Sequence, residues 1–233
     1  DRNFFKSVKF PISVISIGNI AAGGTGKTPH TEFILNVLNK SYKCAVLSRG
    51  YKRITTGFIE VNKPSNFTEV GDEPLQIARK FSNVNVAVAE KRAYGIKKIL
   101  EKNPETNVVI LDDAFQHRQV KPSLSILLTS YGKLFTTDYL LPAGFLRERR
   151  KNYKRADIII VTKCPVNIGK DEINAIRMKI NPFQNQRIFF SGYEYSDLIP
   201  VFNAGNNKKI DFNDLKNRKY TGLILTGIAS TKE

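Results

Sequence analysis

Cysteine, histidine and tryptophan are scarce in this 233-residue sequence, which has two cysteines, two histidines and no tryptophan. Cys44 and Cys164 stand in separate apolar runs without a C-x-x-C pair. We therefore expect both thiols to be reduced core residues of a cytosolic protein, with a redox role as the alternative. Because His30 and His117 are the only histidines, a histidine-rich metal site within this chain is excluded.

Long apolar runs are absent too. No stretch approaches the ~18 apolar residues that a membrane-spanning helix needs, so we expect this piece of chain to be soluble. Asp1 is not a natural start, and the sequence stops at Glu233 shortly after a strand pattern and a fresh turn. We therefore expect a processed or cut amino terminus and a carboxyl-terminal part that this sequence omits.

Acidic residues are few relative to basic ones, since 21 Asp and Glu stand against 37 Lys and Arg, a formal net charge of +16. Such an excess favours anionic partners, namely nucleic acid, a phosphorylated substrate or an acidic membrane surface. The basic residues are spread along the chain, which is equally compatible with a solvated, Lys-rich surface. Charge alone leaves the partner open.

Short apolar runs alternate with helical patterns along most of the chain. Several runs are continuous Val, Ile and Leu, as is typical of strands buried on both faces, and the alternation predicts an α/β fold with a mostly parallel sheet and helices on both faces. We predict strands at 12–17, 44–47, 84–88, 108–111, 124–128, 158–161, 187–190 and 223–225, and helices at 27–39, 73–81, 91–102 and 170–179.

A polar stretch at 193–220, rich in Asn, Lys and Asp, separates the last two predicted strands. We interpret it as a link into a second unit. The sequence therefore predicts one core domain at 1–196, followed at 197–233 by a linker and the start of a truncated α/β lobe.

The most informative motif is "GNIAAGGTGKTPH" at 18–30. It follows the apolar run "ISVISIG", opens a helical pattern and ends in the Gly-Lys-Thr of a P-loop, although Ala21 stands where the Walker A pattern has its first glycine. That position affects only where the loop leaves its strand, so we predict a working, P-loop NTPase-like site. Lys27 would reach the β- and γ-phosphates, and the Thr28 hydroxyl would bind Mg²⁺. The nucleotide-binding residues are then Gly23, Gly24, Thr25, Gly26, Lys27 and Thr28.

A second motif, "NVVILDDAFQH" at 107–117, supports the first. Four apolar residues lead into Asp112 and Asp113, as in a Walker B strand, whose acid holds Mg²⁺ directly or through water. The alternative is a pair of strand-end acids that cap a turn. His117 lies just beyond, at the sheet edge where ligands of such folds bind, or it is a hydrogen-bonding bystander.

Polar clusters also flank other predicted elements. "SRGYKR" at 48–53 offers donors and a ring for a phosphorylated sugar, and "LLPAGFLRERR" at 140–150 places Arg147 and Glu148 beside further arginines. "VGDEP" at 70–74 places Asp72 before a helix, where it is either a functional acid or an N-cap. Each cluster, taken alone, is also compatible with an ordinary solvent-exposed loop.

Taken in order, these motifs resemble the tetraacyldisaccharide 4′-kinase family, the lipid A kinases of Gram-negative bacteria. The loop of that family reads G-N-x-x-x-G-G-x-G-K-T and lacks the first Walker glycine, as here. Ala114 in place of glycine and Arg149 in place of proline depart from the usual family pattern. The matching segments, spread over 16–163, are "SIGNIAAGGTGKTPH", "LSRGYKR", "GDEP", "LDDAFQHR", "LLPAGFLRE" and "ADIIIVTK".

The resemblance implies an ATP- and Mg²⁺-dependent kinase that phosphorylates the 4′-hydroxyl of a tetraacylated glucosamine disaccharide 1-phosphate. Its partners would be this lipid A precursor and the membrane surface at the cytoplasmic face of the inner membrane, with no nucleic acid. The family also carries an amino-terminal hydrophobic segment and a carboxyl-terminal lobe with a functional histidine. Both would lie largely outside this sequence, so the fragment is expected to be catalytically incomplete.

Site residues follow from the same resemblance. Asp72 is the expected base for the sugar hydroxyl. Lys27, Asp112 and His117 are the other expected catalytic residues, Thr28, Asp112, Asp113 and Glu148 the metal-site candidates, Arg147 a further nucleotide contact, and Arg49 and Tyr51 the headgroup contacts.

Other classes remain as alternatives. A regulatory ATPase of the partitioning or nitrogenase type carries K-G-G-x-G-K-T, and here Ala22 stands in place of that first lysine. In a GTP-binding module, "VTKCP" would be the guanine motif, but Pro165 replaces its aspartate. A nucleic-acid-binding protein is suggested by charge alone, without a zinc, homeodomain or RNP pattern.

Overall fold

A computed structural model describes residues 7–194, whose core is a single eight-stranded sheet. The strands in chain order are β1 Ser13–Gly18, β2 Cys44–Ser48, β3 Ile59–Glu60, β4 Asn85–Val88, β5 Val108–Leu111, β6 Leu124–Ser130, β7 Ile158–Thr162 and β8 Arg187–Phe190. Their spatial order is β3-β4-β2-β5-β1-β6-β7-β8. Every neighbouring pair is parallel except β3 and β4, which are antiparallel.

The central strands are aliphatic because both of their faces are covered. All residues of β5, with the sequence VVIL, and of β2, with the sequence CAVLS, are buried. Branched side chains pack well on a pleated surface, and uninterrupted runs of them suit a strand without a solvent face. By contrast, the two residues of the edge strand β3 are only half-buried.

Five α-helices and two short 3₁₀ helices surround the sheet in the described region. No helix there has both the length and the apolar character needed to cross a membrane. A capping box formed by Asn66 and Glu69 starts the shortest α-helix, and Asn181 in the left-handed conformation ends the last one. The α-helices are α1 Lys27–Leu38, α2 Phe67–Val70, α3 Asp72–Lys80, α4 Arg92–Lys102 and α5 Lys170–Ile180, and the 3₁₀ helices are Phe135–Thr137 and Arg150–Arg155.

Helices α1 and α3 cover one face of the sheet, and α4 and α5 cover the other. Leu35 of α1 packs in one cluster with Ile110 of β5, whereas Ile96 of α4 packs with the adjacent Val109. Successive strand residues point to opposite faces, so the two clusters are the two sides of the sheet. Each fully buried Leu or Ile side chain contributes about 1.5–3 kcal/mol, which makes these two layers the main source of stability.

The predicted α/β architecture with a mostly parallel sheet is confirmed. The predicted strands and helices within the described residues all occur, with ends displaced by one or two residues. Cys44 and Cys164 are free and buried, as expected. The strand predicted at 223–225 and the proposed boundary after residue 196 lie outside the described residues. The sequence did not predict β3, α2 or the 3₁₀ helices, because such short segments carry little periodicity.

The carboxyl ends of the parallel strands meet at one edge of the sheet. There β1 leads into the glycine-rich loop before α1, β5 leads into Asp112, and β2 leads into Arg49. Ligands of open α/β sheets bind at this edge. The topology therefore gathers the sequence motifs on one side of the molecule.

Candidate active site

The segment between β1 and α1 has the backbone geometry of a phosphate-binding loop. Gly23 and Gly26 have φ values of 115° and 79°, a region that strains residues with a side chain. The N–H groups at the start of α1 lack intrahelical partners and are therefore free to bind an anion. Inside the loop, the fully buried Asn19 donates its side-chain N–H to the Thr25 hydroxyl at 2.8 Å. This internal bond fixes the curvature of the loop.

Ala21 occupies the position of the first Walker glycine without backbone strain, since it is not among the residues with positive φ. A segment far along the chain runs beside it. The Ala22 N–H donates to the Phe145 carbonyl at 2.6 Å, and the Arg147 N–H donates to the Ile20 carbonyl at 2.8 Å. The start of the loop is thus held by pairing with another segment, and no glycine is needed there.

Lys27, Asp113 and Arg147 form an ion-paired cluster beside the loop. Lys27 Nζ lies 3.7 Å from Asp113 Oδ1, and Arg147 Nη1 lies 3.2 Å from Asp113 Oδ2. Asp113 has a φ of 45°, a left-handed conformation that aspartate adopts more readily than most residues. The side chains of Lys27 and Asp113 are 12% and 32% exposed, so the cluster can be reached by an anionic ligand.

Asp112 is fully buried beside this cluster. Its Oδ1 accepts the Thr31 hydroxyl at 3.2 Å, whereas its Oδ2 has no hydrogen-bond partner among the described residues. Burial, together with the carboxylates of Glu73 and Asp113, raises the pKa of Asp112 to about 6, against the opposing effects of Lys27 and the Thr31 hydroxyl. A buried carboxylate oxygen without a partner is unfavourable, and a bound cation would compensate it.

The hydroxyl of Thr28 donates to Glu73 Oε1 at 3.0 Å. Glu73 lies in the first turn of α3, so this bond joins the phosphate loop to that helix. Sequence reasoning missed Glu73 as a site residue. The available signal was its position next to Asp72 at the start of a helix, and nothing local indicated its contact with Thr28.

Asp72 is exposed and is the first residue of α3. The alternative interpretation of Asp72 as the N-cap is wrong, because Gly71 occupies the cap position. The Asp72 Oδ1 instead accepts the N–H of Glu73, its neighbour, at 2.9 Å. The side chain therefore stays within reach of a ligand, and its role as a base remains a prediction.

The loop after β2 packs directly against the start of α3. A Cβ atom added at Gly71 would lie 3.2 Å from Gly50 Cα, so the two backbones are in contact. Arg49 and Tyr51 flank this contact and are exposed, Tyr51 to 71%. Both predicted headgroup residues thus lie in the same group of loops as Asp72.

Glu148 contacts the 3₁₀ helix that follows it and also Gln116. Its carboxylate accepts from Arg155 Nη2 at 2.9 Å and from Asn152 Nδ2 at 2.7 Å. Gln116 Nε2 lies 3.3 Å from Glu148 and donates to the Asn19 carbonyl at 2.6 Å. Glu148 thereby supports the loop through Gln116, and its role in the metal site stays a prediction. The described part of the chain contains no group of three or more His, Cys, Asp or Glu suited to hold a metal.

Arg92 is a buried cation that sequence reasoning missed. It is 1% exposed, and its guanidinium donates to the carbonyls of Ala89 and Asp112. Burial lowers the pKa of Arg92 to about 10. Burial and the charges of Arg92 and Arg49 lower the pKa of His117 to about 4, so His117 is a neutral hydrogen-bonding group at pH 7. The only sequence signal for Arg92 was its place just after β4, at the carboxyl edge.

The chain is similar to a protein family and to proteins that bear the name of that family. The family model described as Tetraacyldisaccharide-1-P 4′-kinase matches residues 1–233. The tetraacyldisaccharide 4′-kinases of Bacteroides thetaiotaomicron and Bacteroides fragilis are 48% and 47% identical over 99% of this chain. The chain covers 62% and 61% of the lengths of these two relatives, so it corresponds to less than two thirds of each.

A solved structure agrees with the sequence relatives. LpxK from Aquifex aeolicus, crystallised in complex with ATP, aligns with a TM-score of 0.70 and 33% identity. The alignment covers 94% of this chain and 64% of the Aquifex chain. Since the family model and these relatives align with nearly the whole length of the chain, the chain belongs to the tetraacyldisaccharide 4′-kinase family.

Proposed function

We propose that this chain is the nucleotide-binding part of an ATP-dependent kinase that phosphorylates the 4′-hydroxyl of a tetraacylated disaccharide 1-phosphate. The observation that carries the proposal is the convergence of Lys27, Asp112 and Asp113 on a glycine-rich loop, in a chain of this family. Relatives bear the kinase name, and the Aquifex relative was crystallised with ATP. The chain spans 62% of the first of these relatives, so the complete activity is proposed for the whole protein.

The charge arrangement suits a triphosphate. The pairs that Asp113 makes with Lys27 and Arg147 are partly exposed, and such pairs contribute only about 0–1 kcal/mol. Phosphate oxygens can therefore replace Asp113 as the partner of both cations at little loss. In this arrangement Lys27 and the amides of the loop bind the β- and γ-phosphates, and Arg147 binds from the side.

The residues present also fit a Mg²⁺ ion. Mg²⁺ prefers oxygen ligands and is usually held by one or two carboxylates together with phosphates and water. The Thr28 hydroxyl, the unpartnered Oδ2 of Asp112 and the carboxylate of Asp113 would supply such oxygens, with Glu148 further out. When bound, the ion neutralises charge on the phosphate oxygens. Before the ion binds, the Thr28 hydroxyl donates its hydrogen bond to Glu73.

Asp72 is the proposed acceptor of the proton from the sugar hydroxyl. Its side chain is exposed, and the next residue, Glu73, contacts Thr28 of the phosphate loop. A base must reach both the acceptor hydroxyl and the site of phosphoryl transfer, and a residue at the junction of these loops satisfies both conditions. A neutral His117 would donate an N–H to a substrate oxygen.

The acceptor would lie over the loop after β2. Arg49 and Tyr51 are exposed there and offer a guanidinium and a ring to a phosphorylated sugar. The net charge of +16 also favours an anionic bilayer, because each basic residue near such a surface contributes about 1 kcal/mol. The proposed site of action is the cytoplasmic face of the inner membrane, as the family resemblance implies, with the lipid precursor presented from the bilayer.

The test is phosphorylation of tetraacyldisaccharide 1-phosphate by the intact protein, with product analysis at the 4′ position. Lys27→Met removes the charge but keeps a similar length, and it should lower kcat/KM at least about 100-fold because a transition-state cation is lost. Lys40→Met, at an exposed lysine beyond the end of α1, is the matched control and should stay near wild type. A wild-type protein that forms no 4′-phosphate would refute the proposal. Nucleotide hydrolysis stimulated by DNA or a partner protein would then favour a regulatory ATPase.

A further inference from the structure

His30 is a buried histidine that the proposed chemistry does not use. It lies near the start of α1 and is 9% exposed. Its Nδ1 lies 2.7 Å from the Gly26 carbonyl oxygen, and its Nε2 lies 2.9 Å from the Ser191 hydroxyl. One ring thus connects the last glycine of the phosphate loop with the segment that follows β8.

Hydrogen-bond chemistry fixes the form of this ring. A carbonyl oxygen only accepts, so Nδ1 must carry the hydrogen, and in the neutral ring Nε2 then accepts from the Ser191 hydroxyl. The Gly26 carbonyl also accepts the backbone N–H of His30 at 3.2 Å. Because a peptide group is planar and trans, holding the Gly26 carbonyl toward the helix directs the Lys27 N–H in the opposite sense, toward the loop.

The segment after β8 is itself anchored next to the loop. The Ser191 N–H donates to the Val161 carbonyl, and the Cys164 N–H donates to the Ser191 carbonyl, both at 2.9 Å. Ser191 is therefore a fixed point rather than a loose end. Two residues later, the Tyr193 hydroxyl lies 2.8 Å from where a Cβ atom of Gly26 would be. The side chain of Tyr193 thus reaches the last glycine of the loop.

We propose that His30 is a positioning residue for the nucleotide, which couples the Gly26–Lys27 peptide to the segment 191–193 after β8. In this arrangement the loop presents the Lys27 amide correctly only while the ring bridges Gly26 and Ser191. His30 does not itself touch the nucleotide and acts through the Gly26 carbonyl. The inference rests on the proposed binding of ATP at this loop and adds a residue that governs its strength.

A small set of substitutions separates the two bonds of the ring. An asparagine amide N–H lies near the position of Nδ1, so His30→Asn keeps the bond to Gly26 and loses the bond to Ser191. A glutamine amide reaches the position of Nε2, so His30→Gln keeps the contact with Ser191 and loses Gly26. Ser191→Ala removes only the hydroxyl. Ser82→Ala, in the exposed turn between α3 and β4 at the opposite edge of the sheet, is the matched control.

Calorimetric titration of the intact protein with Mg²⁺ and a non-hydrolysable ATP analogue measures the coupling. We expect Ser191→Ala and His30→Asn each to weaken binding about two- to tenfold, the range for one neutral hydrogen bond. The double variant with both substitutions should bind the analogue no more weakly than either single variant, because both substitutions remove the same hydrogen bond. His30→Gln should weaken binding at least as much, and Ser82→Ala should not change it. In turnover, KM for ATP should rise while kcat stays nearly constant.

Three results would overturn the inference, and the first two are wild-type affinity in Ser191→Ala and additive losses in the double variant. A third is a loss of melting temperature without nucleotide that accounts for the whole effect, since His30 would then only stabilise the fold. Ring ¹⁵N chemical shifts, assigned with His30→Asn, give an independent readout: the Nδ1–H tautomer is expected, and the Nε2–H tautomer contradicts the geometry. The titrations, melting temperatures and chemical shifts need no lipid phosphorylation, and only the comparison of KM with kcat does. Nucleotide binding without lipid phosphorylation would refute the proposed function alone. Absence of nucleotide binding would refute both the proposed function and the role of His30.

Discussion

Replacement of Asp112 by asparagine should remove a pH-dependent penalty from the free energy of folding. The Asp112 carboxyl is buried and one of its oxygens has no described partner, and burial is the largest cause that raises its pKa from 3.8 to about 6. A raised pKa means that the folded state holds this proton more tightly than the unfolded chain does. The contribution of Asp112 to stability is therefore fully present below a pH of about 3.8 and is lost as the pH rises through about 6.

The magnitude follows from the two pKa values of Asp112. They differ by about two units, and each unit corresponds to about 1.4 kcal/mol. Between pH 4 and pH 7, the free energy of unfolding of the wild type should therefore fall by up to about 3 kcal/mol relative to that of Asp112→Asn. Asparagine is nearly isosteric, and its carbonyl oxygen can still accept the Thr31 hydroxyl. The difference between the two proteins thus isolates the buried charge.

Urea unfolding of both proteins from pH 4 to pH 8, without nucleotide or Mg²⁺, tests this reasoning. The free energy of unfolding of Asp112→Asn should exceed that of the wild type by an amount that grows with pH. Glu105→Gln, at an exposed acid, is the control and should show no such growth above pH 5. Parallel stability curves for wild type and Asp112→Asn would refute the account of Asp112. With Mg²⁺ and an ATP analogue at pH 8, the wild type should gain more stability than Asp112→Asn, because the variant lacks one proposed oxygen ligand of the ion.

Other substitutions test the remaining parts of the site and the core. Asp72→Asn should lower kcat for lipid phosphorylation at least about 100-fold while calorimetric affinity for ATP stays constant, and near-normal kcat would exclude a base at this position. Gly26→Ala should lower the free energy of unfolding in urea by more than about 1 kcal/mol and weaken ATP binding, because φ of Gly26 is 79° and Tyr193 crowds the new Cβ atom. A stability equal to that of the wild type would contradict this. Leu35→Ala should lose about 2–5 kcal/mol, since its side chain is 0% exposed. Val37→Ala, at a site 57% exposed, is its control and should change stability little.

The parts of the fold that the sequence predicted are those governed by local pattern. The aliphatic run at 108–111 has no polar face, so it indicates a strand covered on both sides, and β5 is the buried strand next to β1. Parallel strands place their carboxyl ends together, so Lys27 and the acids after β5 were expected to meet. They do, with Lys27 and Asp113 in one ion pair.

Contacts between residues far apart in the sequence had no local pattern that could predict them. The bond from Thr28 to Glu73, the buried Arg92 behind Asp112, and the bridge from His30 to Ser191 each depend on how elements pack, and no spacing in the sequence encodes them. One missed element did have a signal: Asn66 and Glu69 have the spacing of a capping box and start α2. The edge strand β3 has two residues, too few for a period-two pattern.

The pairing of Ile20 and Ala22 with Arg147 and Phe145 makes the phosphate loop a product of two stretches of chain. The second stretch, through these backbone hydrogen bonds, holds the chain at Ala21 in the bend that a glycine would otherwise allow. Searches that insist on a glycine at position 21 pass over such a protein, whereas a search for both stretches together would find it. Arg147→Pro, which deletes the N–H bonded to Ile20, should therefore distort the start of the loop in addition to removing the Arg147 side chain from the site.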